Sequence, residues 1–134
     1  MSNQKINPPE MYNSLQYGFS HAVVAEGGRQ VCLAGQVAWD ANGVIVAPGD
    51  LAGQAKQTLK NLRSVLAACG AAPKDVMRLR IYVVDHQPEK LEAIIPALMD
   101  FYGAELPAAN TLIGVQALAL PEFLIEIEAT AQIP

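Results

Sequence analysis

The sequence has little charge, and what it has is not clustered. Charged residues make up 16% of the 134 residues, while hydrophobic residues make up 51%. Nine Lys and Arg residues stand against thirteen acidic ones, which gives a net charge of −4. The cluster of cations that a nucleic-acid-binding protein needs is therefore missing. So little charge on so apolar a chain predicts that other subunits cover part of its surface.

Cysteine and histidine are equally scarce. The two cysteines, Cys32 and Cys69, form no CxxC pair, and the two histidines share no metal-ligand spacing. We therefore expect no metal site and no disulfide, and we expect a location in the reducing cytoplasm. No apolar run approaches a membrane span, and the N-terminus shows no apolar signal segment, so no membrane partner is expected. The length predicts one domain, residues 1–134, with its own core.

Strand and helix patterns alternate along the chain in the order ββαβαββ. Segments with strand composition are 17–25, 30–39, 75–84 and two closing strands within 106–132. The glycines at 27 and 28 predict a hairpin between the first two strands, and the polar residues 1–16 predict an extended arm. Helix-sized crossovers predict one mixed sheet with both helices on the same face. The other face is then free for self-association.

Two segments have helical periodicity. Asp50 is the predicted N-cap of the first helix and Gly70 its stop, with an apolar stripe of Ala55, Leu59, Leu62, Leu66 and Cys69. The second runs from Pro88 to Tyr102, with a buried side of Leu91, Ile94, Ile95, Leu98 and Phe101. Pro96 lies inside it and removes a backbone hydrogen bond. We therefore expect either a kink there or a helix that begins near Ile95.

The closing strand, 124–131, alternates strictly between apolar and polar residues. One face carries Ile125, Ile127, Ala129 and Ala131, and the other carries Glu126, Glu128 and Thr130. The two carboxylates lie roughly 7 Å apart by strand geometry. Arg78 and Arg80 share the same spacing on the strand 75–84. Two interpretations stay open: a carboxylate that orients or deprotonates water, or a cross-strand ion-pair ladder with the arginines.

Five segments together resemble the Rid (reactive intermediate deaminase, YjgF/YER057c-like) family over essentially the whole chain. They are YGFSHAV from residue 17, AGQVAWDANG from 34, QAKQTLKNLRSVLAACGA from 54, RLRIYVVD from 78 and TLIGVQALALPEFLIEIEA from 111. The resemblance implies an α+β, chorismate-mutase-like fold. It also implies a homotrimer whose sheets face a central barrel, with the helices outside and a cleft between each pair of subunits.

In family members that hydrolyse enamines and imines, an arginine after a Pro-Ala pair holds the substrate carboxylate. In this chain the Pro-Ala pair is 107–108, and alignment on it puts Ala109 at the arginine position. Alignment on the following Thr-Leu pair puts Asn110 there instead. Neither side chain reproduces a bidentate guanidinium–carboxylate pair, so standard 2-aminoacrylate hydrolysis is expected to be weak. Asn110 and Thr111 are the predicted substrate-binding residues here, although Asn110 is equally compatible with loop chemistry before a strand.

Other cleft positions match the family more closely. Ala34 and Gly35 fall in its Ser-Gly-Gln strand, whose backbone lines the cleft. Tyr17 falls where members carry an aromatic residue, and a packed aromatic is favoured over a catalytic acid. Glu126 matches the residue that positions the hydrolytic water and is the predicted catalytic residue.

The resemblance implies a cofactor-independent hydrolase or deaminase that acts on a small metabolite in the subunit clefts. The expected substrate is of the enamine or imine type, but other than standard 2-aminoacrylate. A non-catalytic, small-molecule-binding trimer stays open as the alternative. Ribonuclease activity, an old label of the family, ranks last because the chain is acidic.

Overall fold

The computed structural model describes residues 3–134, so the first two residues of the predicted arm lie outside the described residues. In chain order the elements are β1 (Gln4–Ile6), β2 (Ala22–Val24), β3 (Arg29–Gln36), α1 (Leu51–Ala68), β4 (Val76–Val84), α2 (Leu91–Tyr102), β5 (Ala109–Val115) and β6 (Ile125–Ile133). Short 3₁₀ turns lie at Ser14–Tyr17, Pro73–Asp75 and Pro88–Lys90.

The main sheet has four strands in the order β3-β6-β4-β5. β6 is antiparallel to both of its neighbours, whereas β4 and β5 are parallel, because α2 crosses over between them. The closing strands β5 and β6 are therefore not adjacent; β4 lies between them. The predicted α+β class, the mixed sheet and the two helices are confirmed.

The N-terminal segment differs from the prediction in two ways. β2 pairs with β1 and not with β3, so the predicted hairpin is wrong. Over its described part, residues 3–16, the predicted arm is packed: β1 lies within it, and Ser14, near its end, is 1% exposed. The reason is that the Asn7 side chain bonds to Ser14, Ser20 and the backbone of His21, which brings β1 alongside β2.

The core lies between the two helices and one face of the main sheet. Its largest fully buried apolar side chains are Leu62, Leu66, Leu79, Ile81, Ile94, Leu98, Ile125 and Ile127. Each such side chain contributes roughly 1.5–3 kcal/mol when it is removed from water. The predicted stripe of α1 is confirmed except for Cys69, which is exposed because it lies one residue beyond the helix end.

The helix ends follow the sequence signals. Asp50 caps α1 and accepts a hydrogen bond from the Gly53 amide at 3.2 Å. α2 begins at Leu91 and continues through Pro96, so a start near Ile95 is wrong. Pro96 is exposed, and so is the residue four positions earlier, so water can reach the carbonyl that loses its partner. No helix within residues 3–134 is both long and apolar enough to span a bilayer.

Two bulges shift the side-chain alternation of the sheet. Leu33 pairs with Ala129 but Gln36 pairs with Ile127, so β3 carries one extra residue. Ala38 is therefore fully buried, because the set of residues that faces the core shifts by one position beyond Leu33. A similar extra residue in β4, next to Val76, turns Val76 into the core and leaves Met77 only half-buried.

Candidate functional site

The face of the main sheet that points away from the helices carries most of the predicted chemistry. We call it the open face. It consists of Cys32, Ala34, Gly35, Arg78, Arg80, Tyr82, Ala109, Thr111, Ile113, Glu126, Glu128 and Thr130. Every one of these residues is exposed or half-buried, while the positions that alternate with them on β6 are buried. Within the described chain nothing covers this face, which makes it available to a ligand or a second subunit.

Glu126 lies at the β3 bulge. A Cβ atom on Gly35 would lie 2.8 Å from the carboxyl carbon of Glu126, so the carboxylate occupies the space that only glycine leaves. Partial burial raises the pKa of Glu126, and the negative charge of Glu128 raises it further. Its carboxylate is therefore more basic than that of an ordinary glutamate, which suits a general base.

Glu128 has different neighbours. It lies directly opposite Arg80 in the β4–β6 register and accepts a hydrogen bond from the Tyr82 hydroxyl. This hydrogen bond, together with burial and the charge of Glu128, raises the pKa of Tyr82. Arg78, by contrast, lies opposite Thr130, and Glu126 lies opposite Tyr82. Glu128 therefore has an arginine directly opposite it and Glu126 does not, and the side-chain hydrogen bond that Glu128 accepts comes from Tyr82.

β5 divides the remaining predicted site residues between the two faces of the sheet. Its parallel register places Thr111 beside Arg80, on the open face. Asn110 pairs with Leu79 and therefore points to the helix side. Neighbouring residues that were predicted to bind one substrate thus face opposite ways. Ala34, Gly35, Thr111 and Glu126 share the open face, and Asn110 does not.

Asn110 and Tyr17 instead line a cavity of about 190 Å³, which we call the helix-side cavity. It lies between α2, the edge strand β5 and the 3₁₀ turn Ser14–Tyr17. The full lining is Tyr17, Phe19, Ile81, Leu91, Ile94, Ile95, Leu98, Asn110 and Leu112. Tyr17 is 46% exposed and stands at the mouth, so it is not the packed aromatic that was favoured.

Two aromatic residues in these sites were not singled out in the sequence. The spacing of Tyr82 could have indicated it, because it follows Arg78 and Arg80 at every second position of β4. It therefore lies on the same face, opposite Glu126. Phe19 had no comparable signal; it packs edge-on against Tyr12 and His21. The ring of His21 bonds the Tyr12 carbonyl at 2.9 Å, so this histidine has a structural role.

The donor set for a metal ion is absent from the described part of the chain. No group of three or more His, Cys, Asp or Glu side chains comes together within residues 3–134. Cys32 and Cys69 are both free and exposed. Besides Cys32, the ionisable side chains on the open face are Glu126, Glu128, Tyr82 and the two arginines.

Comparisons with known proteins agree with the fold and span nearly the whole chain. The sequence model of the family described as Endoribonuclease L-PSP matches residues 12–133. A RutC family protein from Pyrococcus horikoshii is 30% identical over 115 residues, which cover 84% of this chain and 85% of the relative. A rat 2-iminobutanoate/2-iminopropanoate deaminase is 31% identical over 114 residues, covering 84% and 78% respectively.

A solved structure is more similar still. It is the Rid-family protein YyfB from Yersinia pestis, described as a protein of unknown function. The two chains are 56% identical and superpose with a TM-score of 0.96, covering 99% of this chain and 100% of the other. The backbone described above is thus shared with an experimentally determined structure.

Proposed function

The chain belongs to the Rid (YjgF-like, endoribonuclease L-PSP) family, and on that premise we propose that it is a cofactor-independent, cytoplasmic hydrolase of small imines or enamines. We further propose that it works as a homotrimer, with its sites in clefts between neighbouring open faces. Some relatives, including the rat protein, are named as imine deaminases.

The observation that carries this proposal is the position of Glu126. Its raised pKa and its place over the Gly35 backbone suit a carboxylate that accepts a proton from water. As that proton leaves, the water oxygen bonds to the imine carbon and the C=N electron pair moves onto nitrogen. Glu126 returns the proton to nitrogen, which gives a carbinolamine. Glu126 then accepts the hydroxyl proton of the carbinolamine as the carbonyl forms and passes it to the departing nitrogen, so the C–N bond breaks, ammonia leaves and Glu126 is again a carboxylate.

The binding groups of this proposed site are Ala34, Gly35 and Thr111. Gly35 and Ala34 supply backbone groups at the bulge, and Thr111 supplies a hydroxyl on the edge strand β5. Asn110 faces the helix side of its own chain and lines the helix-side cavity together with Tyr17. The site so described holds one base and neutral polar groups around it.

The arginines bear on which substrates fit. Ala109, the open-face candidate for the family's arginine position, lies beside Arg78 in the β4–β5 register. Glu126 lies opposite Tyr82 in the β4–β6 register. Arg78 precedes Tyr82 by four residues on β4, a distance of about 13 Å along the strand. A ligand held by both side chains of one chain has to bridge what remains of this distance beyond the reach of the two side chains, so a small substrate uses one of them or takes the two from different copies.

The test compares Glu126→Gln with Glu128→Gln, measuring ammonia release from freshly generated imines. The panel contains 2-imino acids, 2-aminoacrylate and neutral cyclic imines. Glu126→Gln should lower turnover by roughly 10²–10⁴-fold, because glutamine cannot accept the proton. Glu128→Gln should keep most of the activity, because its carboxylate bonds Tyr82 and not the water.

Three results would change the conclusion. Equal rates in both variants would remove Glu126 from the mechanism. Rapid turnover of 2-aminoacrylate would show that another cation anchors the carboxylate, and Arg78→Ala would then abolish it. A compound that raises the melting temperature but comes back unchanged after long incubation would favour the alternative, a binding trimer without catalysis.

A further inference from the structure

A groove lies between α1 and α2 on the outer surface of the helices. We call it the helix groove; its volume is about 550 Å³. Its floor is apolar, because it is formed by Leu59 and Phe101, which are 4% and 3% exposed, and by the small side chain of Ala97. Cavities of this size hold small-molecule ligands in other proteins. The core and the main sheet separate the groove from the open face, so it is outside the proposed catalytic site.

Charge is distributed unevenly around the helix groove. Of the eleven lining residues, all within 3–134, three are cations (Lys56, Lys60 and Arg63) and one, Asp100, is acidic. The whole chain, by contrast, has nine Lys and Arg against thirteen Asp and Glu. A third of the cations of an acidic protein thus line one groove. Such a local excess of positive charge attracts an anion.

The spacing of the three cations restricts the shape of that anion. They follow one another on α1 at intervals of four and three residues, so all three lie on the same face of the helix and are exposed. Lys56 and Arg63 are about 10 Å apart along the helix axis. Cations spread over this length are matched by an elongated ligand with several negative charges. Lysine binds phosphate groups as a point charge, which favours a chain of phosphates.

Arg63 is held in position by the end of α2. Its Nη2 atom donates to the Phe101 carbonyl at 2.8 Å, and its guanidinium carbon lies 5.4 Å from the centre of the Phe101 ring. A guanidinium has five N–H donors, so this bond leaves others for a phosphate oxygen. Holding the side chain in place lowers the cost of ordering it when a ligand binds.

We propose that the helix groove binds a small organic polyphosphate. Its phosphates lie along Lys56, Lys60 and Arg63, and its organic part lies on the apolar floor. The site needs no second subunit, because α1 and α2 of one chain supply all of its groups.

The test uses three probes in magnesium-free buffer: ATP, tripolyphosphate and adenosine. Binding is followed by NMR shifts of the methyl groups of Leu59 and Ala97. ATP should bind more tightly than tripolyphosphate, because its nucleoside adds contact with the floor, and adenosine alone should not bind at millimolar concentration. Raising the ionic strength from about 0.05 M to about 0.5 M should weaken ATP binding by roughly fivefold or more, because exposed charges are screened by salt.

Three variants locate the charges that matter. Lys60→Gln should weaken ATP binding by about two- to fivefold, the loss expected for one exposed ion pair. Asp100→Asn should strengthen it by a similar factor, because it removes the acidic residue of the groove. Lys90→Gln is the matched control: it changes the net charge equally, but its ammonium bonds the carbonyls of Val84 and Asp85, outside the groove. It should leave ATP binding unchanged.

Several results would overturn the proposal. Equal losses in Lys60→Gln and Lys90→Gln would show that net charge alone attracts ATP. Shifts at Ile113 with none at Leu59 and Ala97 would place the phosphates on the open face, against its arginines. Adenosine or tripolyphosphate that binds as tightly as ATP would contradict the assigned roles of the cations and the floor.

The same variants separate this proposal from the proposed hydrolase. Lys60→Gln should leave imine turnover unchanged, because the groove and Glu126 lie on opposite sides of the main sheet. ATP binding should likewise be unchanged in Glu126→Gln. Loss of one measurement without the other therefore shows which of the two proposals has failed.

Discussion

Glu126 and Glu128 have the same side chain and point the same way, yet their neighbours give them different chemistry. Glu126 lies over the bare backbone of Gly35, opposite the ring of Tyr82. Glu128 lies opposite Arg80 and accepts the Tyr82 hydroxyl proton in a hydrogen bond. The hydrogen bond from Tyr82 holds the Glu128 carboxylate in place, whereas partial burial and the charge of Glu128 raise the pKa of Glu126.

The raised pKa of Glu126 predicts the pH dependence of both activity and stability. Activity should rise with pH through this raised pKa, because the base must be deprotonated. Glu128→Gln should move the rising part of the pH–activity profile to lower pH, because it removes the neighbouring negative charge that raises the pKa of Glu126. Turnover measured from pH 4 to pH 8 with buffer-matched ionic strength would show the shift, and an unchanged profile would contradict it.

The effect of Glu126 on stability has the opposite sign to that of a typical salt-bridged acid. Its folded pKa lies above the unfolded value, so its favourable contribution is present at low pH and is lost as pH rises through the folded pKa. Glu126→Gln should therefore melt above the parent protein at pH 7. The difference should vanish below about pH 4, where an unfolded glutamate is itself protonated.

Helix α1 shows how one element can carry two buried polar residues with opposite energetic effects. Gln54 and Thr58 are both 0% exposed. The Gln54 side chain donates to the carbonyls of Ala47 and Glu122 and accepts from the amide of Leu124, which ties α1 to the loop before β6. Within residues 3–134 the Thr58 hydroxyl has no hydrogen-bond partner.

These surroundings predict opposite outcomes for two conservative substitutions. Gln54→Met should lower the free energy of unfolding by about 2–4 kcal/mol, because it leaves three backbone groups without partners. Thr58→Val should be neutral or stabilising by up to about 2 kcal/mol, because it removes an unpaired buried hydroxyl. Gln57→Met, one turn from Gln54 and only half-buried, serves as the control. Urea unfolding measures all three, and a destabilised Thr58→Val would show a hidden partner.

Most of the elements could be predicted from the sequence, because each has a clear period. α1 was marked by Asp50 and its leucine stripe, and β6 by strict alternation. The pairing of β2 could not be predicted, because strand composition does not specify a partner and the Asn7 bonds are long-range. The β3 bulge could not be predicted either, because one extra residue in a strand does not change its composition. The direction of Asn110 depends on register, and so the predicted site was only partly assembled.

At the scale of the whole molecule, the open face is the side of the main sheet that the two helices do not cover. Ile113, on the edge strand, is 40% exposed there, and Cys32 and Ala34 are exposed as well. The face also carries two arginines and two glutamates, so it is electrically balanced and can meet a copy of itself. An apolar, balanced face of this kind is typical of a surface that another subunit covers.

We therefore expect a trimer in dilute solution. Light scattering coupled to size exclusion should give three times the chain mass of 14.3 kDa. Ile113→Lys should shift the population toward smaller species, because it buries three unpaired charges in the assembly. Val44→Lys, at a 57% exposed position in a turn outside the sheet, is the control and should leave the mass unchanged. A stable monomer of the parent protein would argue against the clefts as well as the assembly.

The alternating register of β5 has a consequence for how this family of sequences can vary. Odd positions of the strand, such as Thr111, lie on the open face, while even positions, such as Asn110, face the helix-side cavity. Substitutions at odd positions should therefore track changes at the subunit boundary, and those at even positions should track changes in α2. A one-residue deletion before the strand would exchange the two sets at once. The length of the chain before Ala109 therefore decides which residues of β5 reach the open face and which reach the helix side.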